Sequence, residues 1–258
     1  MLKSLVKMLP PIRRIIEERD SLREALAGGG ANADSGYDDE AKISARVVSG
    51  DHRGVIGGLW DEVGQLQHDF LVAHGLQPTH RLLDVGCGSL RGGIHFIPYF
   101  NSGNYWGVDI NSSLIEAGWN EELRKANLQD RQPREQLVCL KDFEFHLLNE
   151  KFEFAIALSV FTHLNFNRIR RCLTRLAPVM EPGGKFFATF FEVQTKQNSE
   201  EQIQHDPGGV VTFSCRDPFH YRFEDFQHAI SGLPLMVRYH GEWGHPRDQK
   251  MLEFEVVR

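Results

Sequence analysis

The sequence predicts an α/β protein: a doubly wound, mostly parallel sheet of seven strands behind an N-terminal helical extension. Two observations carry this. From residue 55 onward, short apolar runs alternate with stretches of helical periodicity, as in strand–helix–strand units whose helices cover both faces of one sheet. The first strand runs straight into a glycine-rich turn, Val85-Gly-Cys-Gly88, and a helix follows at once. In open α/β sheets that arrangement marks a ligand crevice beyond the strand ends.

The elements follow in order. Residues 1–27 read as a separate amphipathic helix, with Leu2, Leu5, Val6 and Leu9 at helical spacing, a break at Pro10-Pro11, and a resumption at Ile12, Ile15, Leu22 and Leu26. Residues 28–36, rich in Gly, Ala, Asn and Asp, read as a flexible linker. The main domain is therefore expected over 37–258. Within it, helices are expected at 59–74, 90–100, 112–127, 165–179 and 223–230. Strands are expected at 81–85, 105–108, 137–140, 152–158, 185–191, 234–241 and 251–257. No helix separates the last two strands, so they form a hairpin and one of them runs antiparallel.

Composition bounds the function. The chain has 258 residues, 41% of them hydrophobic, enough for a full core, and a net charge of −6. That balance argues against a protein that neutralises a long run of phosphates. The four cysteines, Cys87, Cys139, Cys172 and Cys215, are scattered without a C-x-x-C pair. Neither a zinc site nor a disulfide framework is indicated, and a cytoplasmic setting is expected. No apolar run is long enough for a membrane span. The N-terminus does not read as a signal peptide. His205 with Asp206 lacks a spaced third ligand, so no metal is expected.

The chemistry concentrates in Leu82-Leu-Asp-Val-Gly-Cys-Gly-Ser-Leu-Arg-Gly-Gly93. Gly86 and Gly88 allow a tight turn and close approach of a ligand to the backbone. A dinucleotide fingerprint would need a third glycine where Arg91 stands. Asp84, behind the turn, suits a ligand with positive charge better than a pyrophosphate. A phosphate-binding P-loop is excluded by the absence of G-K-[ST]. On the next strand, Asp109 of Gly107-Val-Asp-Ile-Asn111 can accept from both hydroxyls of a ribose. Asp84 with Asp109 favours S-adenosylmethionine, which carries an ammonium and a sulfonium and no phosphate.

Residues 55–258 resemble a class I S-adenosylmethionine-dependent methyltransferase. Asp84, Gly86 and Gly88 stand as in the family's first motif, Asp109 at its acidic ribose position, and Glu181-Pro-Gly-Gly184 at the turn before the fifth strand. The resemblance implies a Rossmann-like methyltransferase fold, strand order 3-2-1-4-5-7-6 with the last strand antiparallel. It implies a cofactor site of Asp84, Gly86, Cys87, Gly88, Arg91, Asp109, Ile110 and Ser159. It also implies an adenine contact from Asp142 and Phe143, which follow the third strand. Leu59-Trp60-Asp-Glu-Val-Gly64 and Gly244-His-Pro-Arg247 resemble a bacterial subgroup that acts on glycans and small metabolites.

In such a sheet the loop after the fourth strand, Ser159-Val-Phe-Thr-His163, faces the transferred methyl. His163 is the candidate general base, since an imidazole titrates near neutral pH; the alternative is a local hydrogen-bonding role that shapes the pocket. The loop lacks the Asn/Asp-Pro-Pro-aromatic signature of enzymes that methylate exocyclic amines of bases, so no nucleic-acid partner is expected. Trp60, His220, Tyr221, His245 and Arg247 are candidate acceptor contacts, suited to a polar, hydroxylated or anionic molecule, with packing as the plainer role. The expected reaction is O-methylation of a small polar acceptor such as a sugar, a glycan end or a secondary metabolite. N-methylation of an amino sugar uses the same machinery. A nicotinamide oxidoreductase is disfavoured by Arg91 and Asp84. A nucleoside-binding module without catalysis is the contrasting class. Residues 1–27 suit oligomerisation, or docking to a partner or membrane surface.

Overall fold

Among the described residues, seven strands of an eight-stranded main sheet follow the order β3-β2-β1-β4-β5-β10-β9. They are β1 (Leu82–Val85), β2 (Tyr105–Asp109), β3 (Leu137–Cys139), β4 (Phe152–Ala157), β5 (Met180–Glu192), β9 (Leu235–Gly241) and β10 (Lys250–Val256). The first five run parallel, and β10 is antiparallel to both β5 and β9. This is the expected order, with the last strand reversed. The structure, a computed structural model, describes residues 39–194 and 198–257. The helix expected over 1–27 and the linker over 28–36 lie outside the described residues.

Alternation along each strand builds a core on both faces. Leu83, Val85 and Phe186 point into one cluster, with Phe161, Ile169, Cys172, Leu173 and Phe226. Leu82 and Phe187 point into the other, with Val63, Leu71, Phe96, Ile97 and Met251. The helices supply matching stripes. In α6 (Phe166–Leu176) the buried residues Ile169, Cys172, Leu173 and Leu176 fall at helical spacing, and the Asn165 side chain caps the first turn by accepting from the Arg168 N–H. On the other face lie α3 (Trp60–Ala73), α4 (Gly93–Tyr99) and α5 (Ser112–Ala117), the last continuing as a π-helical turn over Gly118–Leu123. α7 (Phe223–Ala229) follows the fifth strand.

Several elements depart from expectation. Two short helices, α1 (Glu40–Val48) and α2 (His52–Val55), precede the sheet. Ile43 and Val55 pack against Leu114 of α5. The buried Glu122 carboxylate holds α2, accepting from Arg53 at 2.8 and 2.6 Å and lying 2.6 Å from His52 Nε2. Glu181-Pro-Gly-Gly184 was expected as a turn but is absorbed into β5, with an irregular register against β4. A small hairpin of β6 (Ile203–His205) and β7 (Val210–Thr212), then β8 (His220–Tyr221) paired with the end of β5, fills the stretch before α7.

Candidate functional site

The glycine turn is stitched to the end of β2. Gly86 and Cys87 donate their N–H groups to Val108 O. Gly88 N–H donates to Asp109 Oδ2 and Asn111 N–H to Asp109 Oδ1, each at 2.9 Å. Gly86 (φ 75°) and Gly88 (φ 54°) both occupy the left-handed region. A Cβ on Gly86 would lie 2.5 Å from Val160 Cγ2, and one on Gly88 2.7 Å from Ile56 Cγ2. Glycine is thus required by conformation and by space, and the turn leaves a backbone cradle bordered by Val160 and Ile56.

Two buried carboxyls flank this cradle. Burial pushes Asp109 up to about 6, against the lowering effect of the Asn111 and Gly88 N–H donors. Burial pushes Asp84 up to about 7; the Tyr105 hydroxyl, which donates to Asp84 Oδ2 at 2.7 Å, opposes this, while the Asp109 charge adds to it. Asp84 is thus a buried carboxyl. It lies beneath the turn, bonded to Tyr105, and is a weaker counter-charge near neutral pH than an exposed carboxylate would be. The Cys87 thiol is buried and packs where Gly107 leaves room. Ile110 sits at the rim, its carbonyl accepting from Cys139 Sγ.

The expected adenine contacts are placed differently. Asp142 and Phe143 both have positive φ, 56° and 58°. The Asp142 carboxylate turns outward to Arg171 and Arg175 of α6, and Phe143 is buried in the core beside Phe145. The ion pairs engage Asp142 Oδ2 of a half-exposed carboxylate, and the Phe143 ring packs in the core.

The loop after β4 pairs its histidine with a buried carboxylate. His163 Nδ1 lies 2.6 Å from Asp217 Oδ1, and the Asp217 side chain is 1% exposed against 31% for the imidazole. A carboxylate only accepts, so Nδ1 carries the proton and the lone pair of the neutral ring falls on Nε2. The loop is braced from below. Thr162 Oγ1 donates to Ser159 O, and Ser159 N–H donates to Thr189 Oγ1. The hydroxyls of Ser159 and Thr189 both donate to Gln249 Oε1, at 3.0 and 2.7 Å. Ser159 is thus tied into a network across β4, β5 and β10.

The acceptor candidates divide. His220 is buried, with Nε2 donating to Ser199 O and Nδ1 accepting from the Thr212 hydroxyl. Tyr221 is buried and its hydroxyl donates to Leu164 O at 2.6 Å. Contact of either residue's polar atoms with an acceptor would require breaking these bonds. Trp60 is likewise buried, covered by the Arg53 guanidinium at 4.3 Å. His245 and Arg247 lie together on the β9–β10 loop. Arg91 donates to the carbonyls of Ile56 and Gly58, and Arg247 to that of Gly57. The two arginines thus meet three successive carbonyls, those of Ile56, Gly57 and Gly58. Among the described residues no group of three His, Cys, Asp or Glu side chains is placed to hold a metal. His205 faces Thr212 and Asp248, while Asp206 is exposed.

Sequence reasoning missed Asp217 as the partner of His163, and missed Gln249. The Asp217-Pro-Phe-His-Tyr221 segment was conspicuous, but nothing local pairs it with a residue 54 positions earlier.

Residues 83–186 match the family model described as a methyltransferase domain. Among solved structures, the magnesium protoporphyrin IX methyltransferase of Synechocystis PCC 6803 with bound S-adenosylhomocysteine aligns at 16% identity and a TM-score of 0.58, over 84% of this chain and 99% of that one. The methyltransferase CcbJ of Streptomyces caelestis aligns at 13% identity and 0.57, over 76% and 90%. A glycopeptide N-methyltransferase, MtfA, complexed with S-adenosylmethionine, aligns at 15% identity and 0.57, over 76% and 94%. At these identities the likeness is one of fold.

Proposed function

We propose that the chain is a class I methyltransferase that transfers a methyl group from S-adenosylmethionine to a hydroxyl of a small polar acceptor, such as a sugar, a glycan end or a secondary metabolite. The observation that carries the O-transfer reading is the His163–Asp217 pair on the loop after β4. A hydroxyl needs its proton removed as it attacks; a neutral amine does not, so a carboxylate-backed imidazole favours oxygen.

The residues present suit the cofactor. Gly86 is exposed and without a side chain, which lets a ligand approach its backbone, and a Cβ there or on Gly88 would displace Val160 or Ile56. Each Asp109 oxygen accepts one backbone N–H and keeps a lone pair for a ribose hydroxyl. When bound, S-adenosylmethionine supplies an electrophilic methyl on a sulfonium that is already an excellent leaving group. The protein's part is then positioning and proton removal. Asp217 holds the His163 ring, Nε2 takes the acceptor proton, and the buried carboxylate stabilises the imidazolium that results. Ser159, Thr189 and Gln249 keep the loop in place.

Incubation with methyl-labelled S-adenosylmethionine and a panel of hydroxylated acceptors tests this. His163→Ala should lower kcat about 100-fold or more while S-adenosylhomocysteine affinity stays within about twofold. Equal turnover in the variant and the wild type contradicts the base role.

The proposal extends to setting and partners. A cytoplasmic location is supported by four free cysteines. Among the described residues no helix is long and apolar enough to cross a membrane. Residues 1–27 are assigned to oligomerisation or to docking on a partner or membrane surface, as a piece separate from the domain at 37–258. Deleting residues 1–36 should leave cofactor binding intact, and loss of folding would move that boundary.

A further inference from the structure

Arg247, like Arg170, meets backbone carbonyl oxygen and no carboxylate among the described residues, but Arg170 has its guanidinium filled by the carbonyls of Ala229 and Ser231. Arg46, Arg53, Arg81, Arg134, Arg171 and Arg238 each meet a carboxylate. Arg247 is partly buried and, among the described residues, its guanidinium has one hydrogen bond, from Nη2 to Gly57 O, and no carboxylate. A half-buried cation without a counter-charge is costly unless a ligand supplies one. Asp248 is next in sequence, but its carboxylate is bonded to Lys250 and lies 3.6 Å from His205 Nδ1.

His245 completes the feature. It is 8% exposed, and its Nδ1 accepts from the Arg247 N–H at 3.2 Å, which puts the ring proton on Nε2. Nε2 has no hydrogen-bond partner among the described residues. Burial, then the charges of Arg91 and Arg247, push His245 down to about 3 against the opposing pull of Asp248, so the ring stays neutral. The cluster therefore offers a neutral N–H donor between two permanent positive charges, which suits an oxyanion.

The loop is tied to the one that carries His163. Trp243 stacks on His245 with ring centroids 5.5 Å apart, and its Nε1–H donates to Gln249 O. Gln249 in turn holds Ser159, on the same loop as His163. We propose that Arg247 and His245 form a receptor for an anionic oxygen group, a carboxylate or phosphate, carried by the methyl acceptor. The proposal rests on the methyltransferase reading. The methionine carboxylate of the cofactor has the same chemistry, so the experiment must separate the two sources.

The experiment is calorimetry on the full chain. S-adenosylhomocysteine is titrated first. Inorganic phosphate is then titrated into the saturated complex, in a phosphate-free buffer of low ionic strength. Saturable phosphate binding is expected. Arg247→Gln should weaken it by about tenfold or more, Arg247→Lys should retain most of it, and both should bind S-adenosylhomocysteine within about twofold of wild type. That last result also shows that the variants fold. Non-saturable heats in the wild type, or equal phosphate affinity in Arg247→Gln, overturn the receptor. So does a tenfold loss of S-adenosylhomocysteine in Arg247→Gln with 5′-methylthioadenosine, which lacks the carboxylate, unaffected; the site then belongs to the cofactor. Wild-type protein that fails to bind S-adenosylhomocysteine refutes the methyltransferase reading itself, a result distinct from the loss of phosphate binding alone.

Discussion

Asp109→Asn perturbs the proposed cofactor site with little change in shape. The native carboxylate is 6% exposed, with one lone pair on each oxygen taken by the Gly88 and Asn111 N–H groups. The amide keeps one oxygen and turns an NH2 toward either a backbone N–H or a ribose hydroxyl. At least one charge-assisted bond is lost, worth about 1.5–3 kcal/mol. S-adenosylhomocysteine should therefore bind about 10- to 150-fold more weakly. The wild type carries an internal check. Asp109 is pushed up to about 6, and its protonation removes an acceptor that the ribose needs. Affinity should hold from pH 8 to near 7 and be about tenfold lower at pH 5. Asp84, pushed up to about 7, titrates separately and higher. Calorimetric titrations at each pH, on both proteins, make the comparison. The step belonging to Asp109 should vanish in Asp109→Asn. A wild-type affinity that is flat from pH 8 to 5, or a variant within twofold of wild type, refutes the reasoning.

Other perturbations follow from the same geometry. Burial pushes Asp84 up to about 7 from the usual 3.8, so between those values the folded protein holds a proton that the unfolded chain has released. Stability thus falls as pH rises through this window; the melting temperature of unliganded protein should be lower at pH 8 than at pH 5.5, and Asp84→Asn should flatten the fall. Gly86→Ala forces a left-handed alanine and a 2.5 Å approach to Val160 Cγ2. The backbone part alone costs about 1–2 kcal/mol, and calorimetric scans should show that Val160→Ala relieves only the steric remainder. Glu122→Ala strips the buried partner from His52 and Arg53 at a cost of about 1–3 kcal/mol. Chemical denaturation measures that cost, and weaker S-adenosylhomocysteine binding should accompany it, because α2 leads directly into the Ile56 wall of the cradle.

The central sheet was legible because its information is local. Short apolar strands, a glycine turn at the end of β1 and an acid at the end of β2 each declare themselves within a few residues. α1 and α2 did not, since Ile43 is the one buried residue of α1 and leaves no apolar stripe to read. Asp84 read as a ligand-facing carboxylate; only the pairing of β1 with β2 brings the Tyr105 hydroxyl onto it. Asp142 read as a cofactor contact; only the packing of α6 brings Arg171 and Arg175 beside it. His163 stood out as a histidine in the right loop. The Asp217 carboxylate that pairs with it arrives from a segment that nothing in the sequence attaches to that loop.

The most direct test of the account is the melting temperature of the protein with S-adenosylhomocysteine and, separately, with NAD. At about 100 times its dissociation constant, S-adenosylhomocysteine should add about 2.7 kcal/mol of stability. For a domain of this size that raises the melting temperature by about 5–11 °C. NAD should leave it unchanged. A rise with NAD and none with S-adenosylhomocysteine would contradict the account at its root.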